Sequence, residues 1–208
     1  MGRHENTKEL FLTIALRMFG ERGYEAVKIS DVADEIGCTA PALYKHYRNK
    51  KELYDAILEM SIKGYDKAMR DMHVDFDDEE TRKTVINMSE EDQIESAKNM
   101  LLRPLHNQGA RDFRKLMTIE QYHSSELAEM YDRRYATGQY ERYEQYFKVL
   151  IDAGKIKKAD PYILAVEYVS PIIVFIGICD RNPEKESFAL ECIEKHVKEF
   201  NRIHRTDK

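Results

Sequence analysis

Between Cys38 and Lys51 the chain reads Cys-Thr-Ala-Pro-Ala-Leu-Tyr-Lys-His-Tyr-Arg-Asn-Lys-Lys, which holds Lys45, Arg48, Lys50 and Lys51 and no Asp or Glu. The protein as a whole carries a net charge of −5. A local cationic stretch on an acidic chain is the electrostatic footprint of a surface that meets phosphate. The plainer alternative is a solvated cationic face on a small helical hairpin.

A second group is Glu120-Gln-Tyr-His123, a Glu-x-x-His spacing that sets two metal ligands on one helix face. A di-metal bundle needs a second copy, and the sequence has none; its other histidines are scattered. Nor is there a nucleophile elbow, a phosphate loop or a Cys-x-x-Cys. Enzyme chemistry therefore finds little footing and no cofactor or metal is expected. An all-α metal enzyme, a metal-responsive regulator and a DNA-organising protein without sequence preference stand as the alternatives.

A third group is aromatic. The chain has 13 tyrosines and no tryptophan, and six of the tyrosines lie between Tyr122 and Tyr146. Glu120 and Glu167 fall on otherwise apolar helical faces. Aromatic faces around a buried carboxylate suit a cationic or amphipathic aromatic compound, with Met117, Glu120, Tyr143, Phe147 and Glu167 as the candidate lining. The plainer reading makes these residues ordinary core.

Local elements must hold these groups. Ile29, Val32, Ala33 and Ile36 have the spacing of one helix face, and Gly37 ends that helix. Thr39 can cap the next, with Pro41 in its first turn, where a missing N–H costs little. Two short helices across a Gly-containing turn form a helix-turn-helix, whose second helix fits the major groove of DNA. Lys28 and Ser30, at the start of the first of the two, can reach a phosphate beside its free N–H groups. Ala40 and Ala42 can offer only a methyl contact to thymine or a close backbone approach. Specificity then leans on Lys45, Tyr44, thymine methyls and DNA shape.

From Thr7 to Leu58 the chain resembles the DNA-binding head of the TetR family of transcriptional regulators. The matching residues are Ile14, Ala15 and Phe19, Gly23-Tyr24, Ser30-Asp31-Val32-Ala33, Gly37, Leu43-Tyr44-Lys45-His46-Tyr47, Asn49-Lys50 and Leu53. The resemblance implies that Thr39, Tyr44, His46 and Lys50 contact the DNA backbone, with Lys45 toward the groove. It also implies a ligand-binding body, a dimer made by the last two long helices, and repression relieved by a small molecule. Lys28 departs from the family's usual Thr or Ser, which keeps a phosphate contact but removes a cap. Ala40 and Ala42 stand where the family often carries longer polar residues.

The remaining chain bounds that picture. At 208 residues it can hold a small domain and a larger one. Residues 1–52 hold nine Lys/Arg against eight Asp/Glu, a net +1, which leaves −6 for the rest. The division expected is a helix-turn-helix DNA-binding domain over 1–52 and an all-helical ligand-binding and dimerisation domain over 53–208. The fold is all-α with about nine helices. The first starts near Asn6 or Thr7, and one runs from Asn49 through a stripe from Leu53 to Met72. A solvated acidic connection follows over 73–82. A helix opened by Ser89 and Asp92 is kinked at Pro104 and stopped at Gly109, and the next begins near Arg111. A long helix closes at Gly154 and bends at Gly138. A buried helix follows Asp160-Pro161 to Cys179, and a last one starts at Asn182-Pro183. The apolar run 162–179 contains Glu167, Ser170 and Pro171 and reads as protein interior, with no membrane expected. No apolar run follows the basic start as a signal peptide would require, and three cysteines without metal-like spacing suit a reducing cytoplasm. The partners expected are a palindromic double-stranded DNA operator, a small-molecule effector and a second copy of the chain.

Overall fold

Gly23, Gly37 and Gly154 take positive φ of 78°, 75° and 68°, and each closes a helix or its following turn. The computed structural model describes residues 2–71 and 74–206, with side chains from residue 8 onward. Met1, Met72 and His73, on which expectations fell, lie outside the described residues.

Helices account for the regular structure, and among the described residues the only β pairing is a single bridge between Ile156 and Arg205. Two compact units form: Met1–His73 with Asn107–Glu129, and Val74–His106 with Met130–Lys208. The units thus interleave along the chain.

The first unit contains α1 (Gly2–Arg22), α2 (Ile29–Ile36), α3 (Ala40–Tyr44) and α4 (Lys50–Asp71). Helix α1 starts before the expected Asn6, since no glycine or proline interrupts residues 3–7. Its stripe Phe11, Ala15, Met18 and Phe19 is buried with Val27, Val32, Leu43, Leu53 and Ile57, as two short helices require of a cover. Asn49 caps α4 by accepting the Glu52 N–H at 2.9 Å. The Glu52 carboxylate reaches back one residue further than a capping box, to the Arg48 N–H at 2.7 Å.

The second unit begins with α5 (Glu79–Ile86), which corrects the expected solvated connection. Asp78 accepts the Thr81 N–H at 2.8 Å, and Glu79 and Glu80 sit in the first turn, where the helix dipole favours acids. Next is α6 (Glu90–His106), opened by reciprocal bonds between Ser89 and Asp92 and carrying Pro104 inside it. Gly109 does not stop it. The helix ends at His106, and Asn107 starts α7 (Gln108–Glu120) three residues before Arg111 by accepting the Ala110 N–H at 2.9 Å. Helix α7 belongs to the first unit.

The expected long helix divides into α8 (Ser125–Asp132), a π-helical turn (Arg133–Thr137) and α9 (Gly138–Asp152). Gly138 is the cause of the break's tolerance: a Cβ there would lie 2.5 Å from the Arg133 carbonyl oxygen. Helix α10 (Pro161–Arg181) is capped by Asp160, which accepts the Tyr162 and Ile163 N–H groups at 2.9 and 3.3 Å. A 3₁₀ turn (Pro183–Lys185) intervenes before α11 (Glu186–His204). Splitting the long helix and adding α5 carries the helix number beyond the nine expected.

Leu101, Phe147, Leu164, Val169, Ile172, Ile193, Val197 and Phe200 centre the second unit's core. By length and composition α10 could cross a membrane, and only a third of its most apolar window is buried. The buried helix anticipated from sequence is therefore an exposed one along one side, where Ile163 and Val174 are nearly three-fifths accessible, as is Phe188 on α11.

Candidate nucleic-acid interface

The turn between α2 and α3 is built from backbone bonds. Gly37, left-handed, donates to Asp34 O at 3.0 Å, and Cys38 N–H closes onto Ala33 O at 2.9 Å. Thr39 holds the cap position of α3 in extended backbone, but its side chain makes no cap bond, so the hydroxyl remains outward and exposed. Leu43 and Tyr47 point inward and are buried. Burial without a partner for its hydroxyl pushes Tyr47 up to about 12. That anchoring leaves Tyr44, Lys45 and His46 exposed, with Ala40 and Ala42 half-covered.

At the start of α2 the Asp31 carboxylate accepts the Lys28 N–H at 3.1 Å and the Ser30 hydroxyl at 3.3 Å. Lys28 supplies no side-chain cap, and both Lys28 and Ser30 are solvent-facing. The His46 ring stands edge-on to buried Phe11 at 5.4 Å, which fixes its orientation while leaving it exposed.

The four cations of the stretch divide. Arg48 pairs with Glu52 at 3.2 Å, and its backbone bond first, then its side chain, lower the Glu52 carboxyl. Lys51 bonds Asp55 at 2.6 Å, which raises the Lys51 ammonium. Lys50 turns back onto the protein, donating to Glu25 O at 3.1 Å with its ammonium 4.2 Å from the Tyr24 ring centre. Lys45 alone of the four engages nothing among the described residues. Sequence could not separate these four, because pairing depends on which helix follows.

The candidate ligand residues fall in different units. Met117 and Glu120 are buried in the first, where Glu120 Oε1 accepts the Tyr24 N–H at 2.9 Å. Tyr143, Phe147 and Glu167 are in the second. Tyr143 and Phe147 meet at 6.4 Å between ring centres, whereas Glu167 pairs with His204 at 3.1 Å. Among the described residues no three His, Cys, Asp or Glu side chains converge as a metal would require.

A narrow cavity in the second unit, of about 10 Å³ or room for one water, is walled by Phe147 with Tyr146, Tyr168 and Phe200. Lys155 and Arg205 also line it. Neither cation announced itself in sequence, because their meeting depends on the chain folding back at the bridge between Ile156 and Arg205.

With the geometry in place, residues 11–57 match the profile of the bacterial regulatory proteins, tetR family. Over 60 residues the chain is 37% identical to the transcriptional activator FasR of Mycolicibacterium smegmatis, covering 29% of this chain and 27% of that protein. The chain thus matches about a quarter of the length of such curated relatives. In fold the likeness extends along nearly the whole chain: a TetR transcription regulator from Haloarcula marismortui superposes with a TM-score of 0.64 at 15% identity, over 97% of this chain and all of that one. SmeT of Stenotrophomonas maltophilia, in complex with triclosan, gives 0.62 at 18%, over 97% of this chain and 93% of that one. Residues 11–57 thus resemble the DNA-binding part of the tetR family regulators, and the remaining chain resembles such regulators in fold.

Proposed function

We propose that this protein is a sequence-specific DNA-binding transcriptional repressor, acting in the cytoplasm as a homodimer and released from its operator by a small molecule held in the second unit. The observation that carries the reading is α3, anchored through Leu43 and Tyr47 while Thr39, Tyr44, Lys45 and His46 face solvent. Thr39, Tyr44 and His46 contact backbone phosphates, joined by Lys28 and Ser30 from the start of α2, and Lys45 enters the groove. Ala40 and Ala42 bring the backbone close and touch thymine methyls. Lys50 reaches phosphate by leaving Glu25 O. Residues 1–52 carry the reading of DNA, and 53–208 the effector and the dimer.

The exposed apolar side of α10, with Ile163 and Val174, and Phe188 on α11 are covered by the same helices of a second copy. Two heads then read two half-sites related by the same two-fold axis. SmeT bound to triclosan is a neighbour in fold that holds a small molecule, which supports an effector here. The effector acts through two of the three chain connections between the units. Helix α4 leads out of the head, and α6 in the second unit joins α7 in the first through Asn107 alone. By linkage, the effector favours release only if it binds the DNA-free state more tightly.

Selection from a library of random duplexes at fixed moderate salt tests this. Recovery of a two-fold symmetric site is expected; no enrichment over input removes the sequence-specific reading and leaves the non-specific DNA organiser.

A further inference from the structure

We propose that Tyr24 is a specificity-determining residue that itself stays off the DNA. With the Glu25 carbonyl it seats the Lys50 ammonium, so that Lys50 is given up to phosphate at a matching site and kept from random duplex. The inference rests on the sequence-specific reading above and deepens it by naming what withholds a cation from the wrong sequence.

The seat is held at three points. Gly23, in the left-handed conformation, donates its N–H to Phe19 O at 2.8 Å and turns the chain after α1. The Tyr24 N–H donates to Glu120 Oε1 of α7 at 2.9 Å. The half-buried Tyr24 ring packs against Tyr54 at 4.6 Å and Phe19 at 5.9 Å between centres. Phe19 is fully buried and Tyr54 meets it edge-on at 5.8 Å, so backbone and ring of Tyr24 are both tied to the core of the first unit.

The seat also has the right charge. Lys50 Nζ lies 4.2 Å from the Tyr24 ring centre and donates to Glu25 O at 3.1 Å. A ring face and a carbonyl oxygen both present negative charge to an ammonium. Burial first, and then the Glu25 and Asp55 carboxylates, raise the Tyr24 phenol, which marks the surroundings as negative. Lys51 opposes that effect, but it is bonded to Asp55 at 2.6 Å.

Only the side chain of Lys50 has to move. Lys50 is the first residue of α4, whose cap Asn49 accepts the Glu52 N–H at 2.9 Å, so the backbone stays fixed while the four-carbon stem swings. An ammonium over a partly exposed ring gains about two- to fivefold in an equilibrium. That is enough to favour the seat over a phosphate that random duplex brings past in no fixed register. It is too little to resist a phosphate that groove contacts hold in place.

The test uses the full-length protein with its lysines labelled by ¹³C at Cε. Protons above a ring face are shielded, so the Lys50 Cε protons are expected upfield of the other lysines in the DNA-free protein, identified by their loss in Lys50→Gln. Tyr24→Phe is expected to keep that position and Tyr24→Leu to abolish it. A selected duplex is expected to move the signal to the ordinary lysine position, and random duplex to leave it upfield. By fluorescence anisotropy, Tyr24→Leu is expected to raise affinity for random duplex by about two- to fivefold and the magnitude of its salt slope by about 0.9 per head. Lys50→Gln in that background is expected to remove both gains. A Lys50 signal among the ordinary lysines of the DNA-free protein overturns the seat. A signal that responds alike to selected and random duplex overturns the specificity role; should Tyr24→Leu not fold, these two observations on the native protein decide. An upfield signal in a protein for which library selection recovers no site leaves the seat standing, and the specificity role falls with the sequence-specific reading.

Discussion

At the scale of single residues, Lys45 and Lys50 differ in what surrounds them rather than in type. Lys45 meets solvent, so Lys45→Ala removes the cation proposed to enter the groove. It is expected to weaken binding of a selected site by about 1–3 kcal/mol and to change binding of random duplex far less, read by fluorescence anisotropy at fixed salt. Glu120 is a second case. Its carboxylate serves the Tyr24 N–H. Glu120→Ala is expected to cost about 1–3 kcal/mol in denaturant unfolding by orphaning that donor, while Glu120→Gln retains an acceptor and most of the stability. Sequence gave notice of the exposed set, because Leu43 and Tyr47 at i and i+4 force their neighbours outward. It gave no notice that Lys50 is engaged, because its partner oxygen comes from Glu25, 25 residues earlier.

Among the elements, α1 and α7 meet where α1 has no side chain. A Cβ on Gly20 would lie 2.7 Å from the Asp112 carbonyl oxygen, which is backbone and cannot step aside. Gly20→Ala is expected to cost about 1–3 kcal/mol, measured by chemical denaturation. Across the second unit, Glu194 bonds Lys198 at 2.7 Å and Lys98 at 2.6 Å, and these two hold its carboxyl at about 2. A depressed carboxylate binds fewer protons folded than unfolded, so its contribution is present above the ordinary carboxylate value and is lost as pH falls from about 4.5 toward about 2. Glu194→Gln is expected to lower thermal stability at pH 7, to flatten its acid limb in that window, and to converge with the native protein near pH 2. Helix existence was legible from apolar spacing, and the openings at Asn49, Ser89 and Asp160 from their caps. The missed element, α5, was hidden because a run of acids reads as solvated, although the same acids favour a first helical turn. The break before Gly138 was legible as a bend, but not as a π turn, which depends on the carbonyl that glycine makes room for.

For the whole molecule, the exposed apolar side of α10 and Phe188 are where the proposed dimer is tested. Val174→Glu combined with Phe188→Glu is expected to convert a dimer to monomers in sedimentation velocity and to abolish tight binding of a two-fold site while single half-site contacts persist. The interleaving of the two units could not be read from sequence, since α7 follows α6 by one residue and nothing in its composition says which core it joins. Of the Tyr-rich region, Tyr143 and Tyr146 pack with Phe147 and Tyr168, whereas Tyr122 is exposed and belongs to the other unit.

The internal engagement of Arg48, Lys50 and Lys51 bears on how such a head would search a genome. On random duplex, retention grows with each cation that displaces a counterion. A head that keeps three of its four local cations occupied at home has little grip there, so each visit to a wrong sequence is brief and the next begins soon. At a matching site the proposed groove contacts would hold the head long enough for Lys50 to trade the Glu25 carbonyl for a phosphate. Dwell time is then set by the match, and the acidic remainder of the chain, repelled by the same phosphates, shortens every encounter that lacks one.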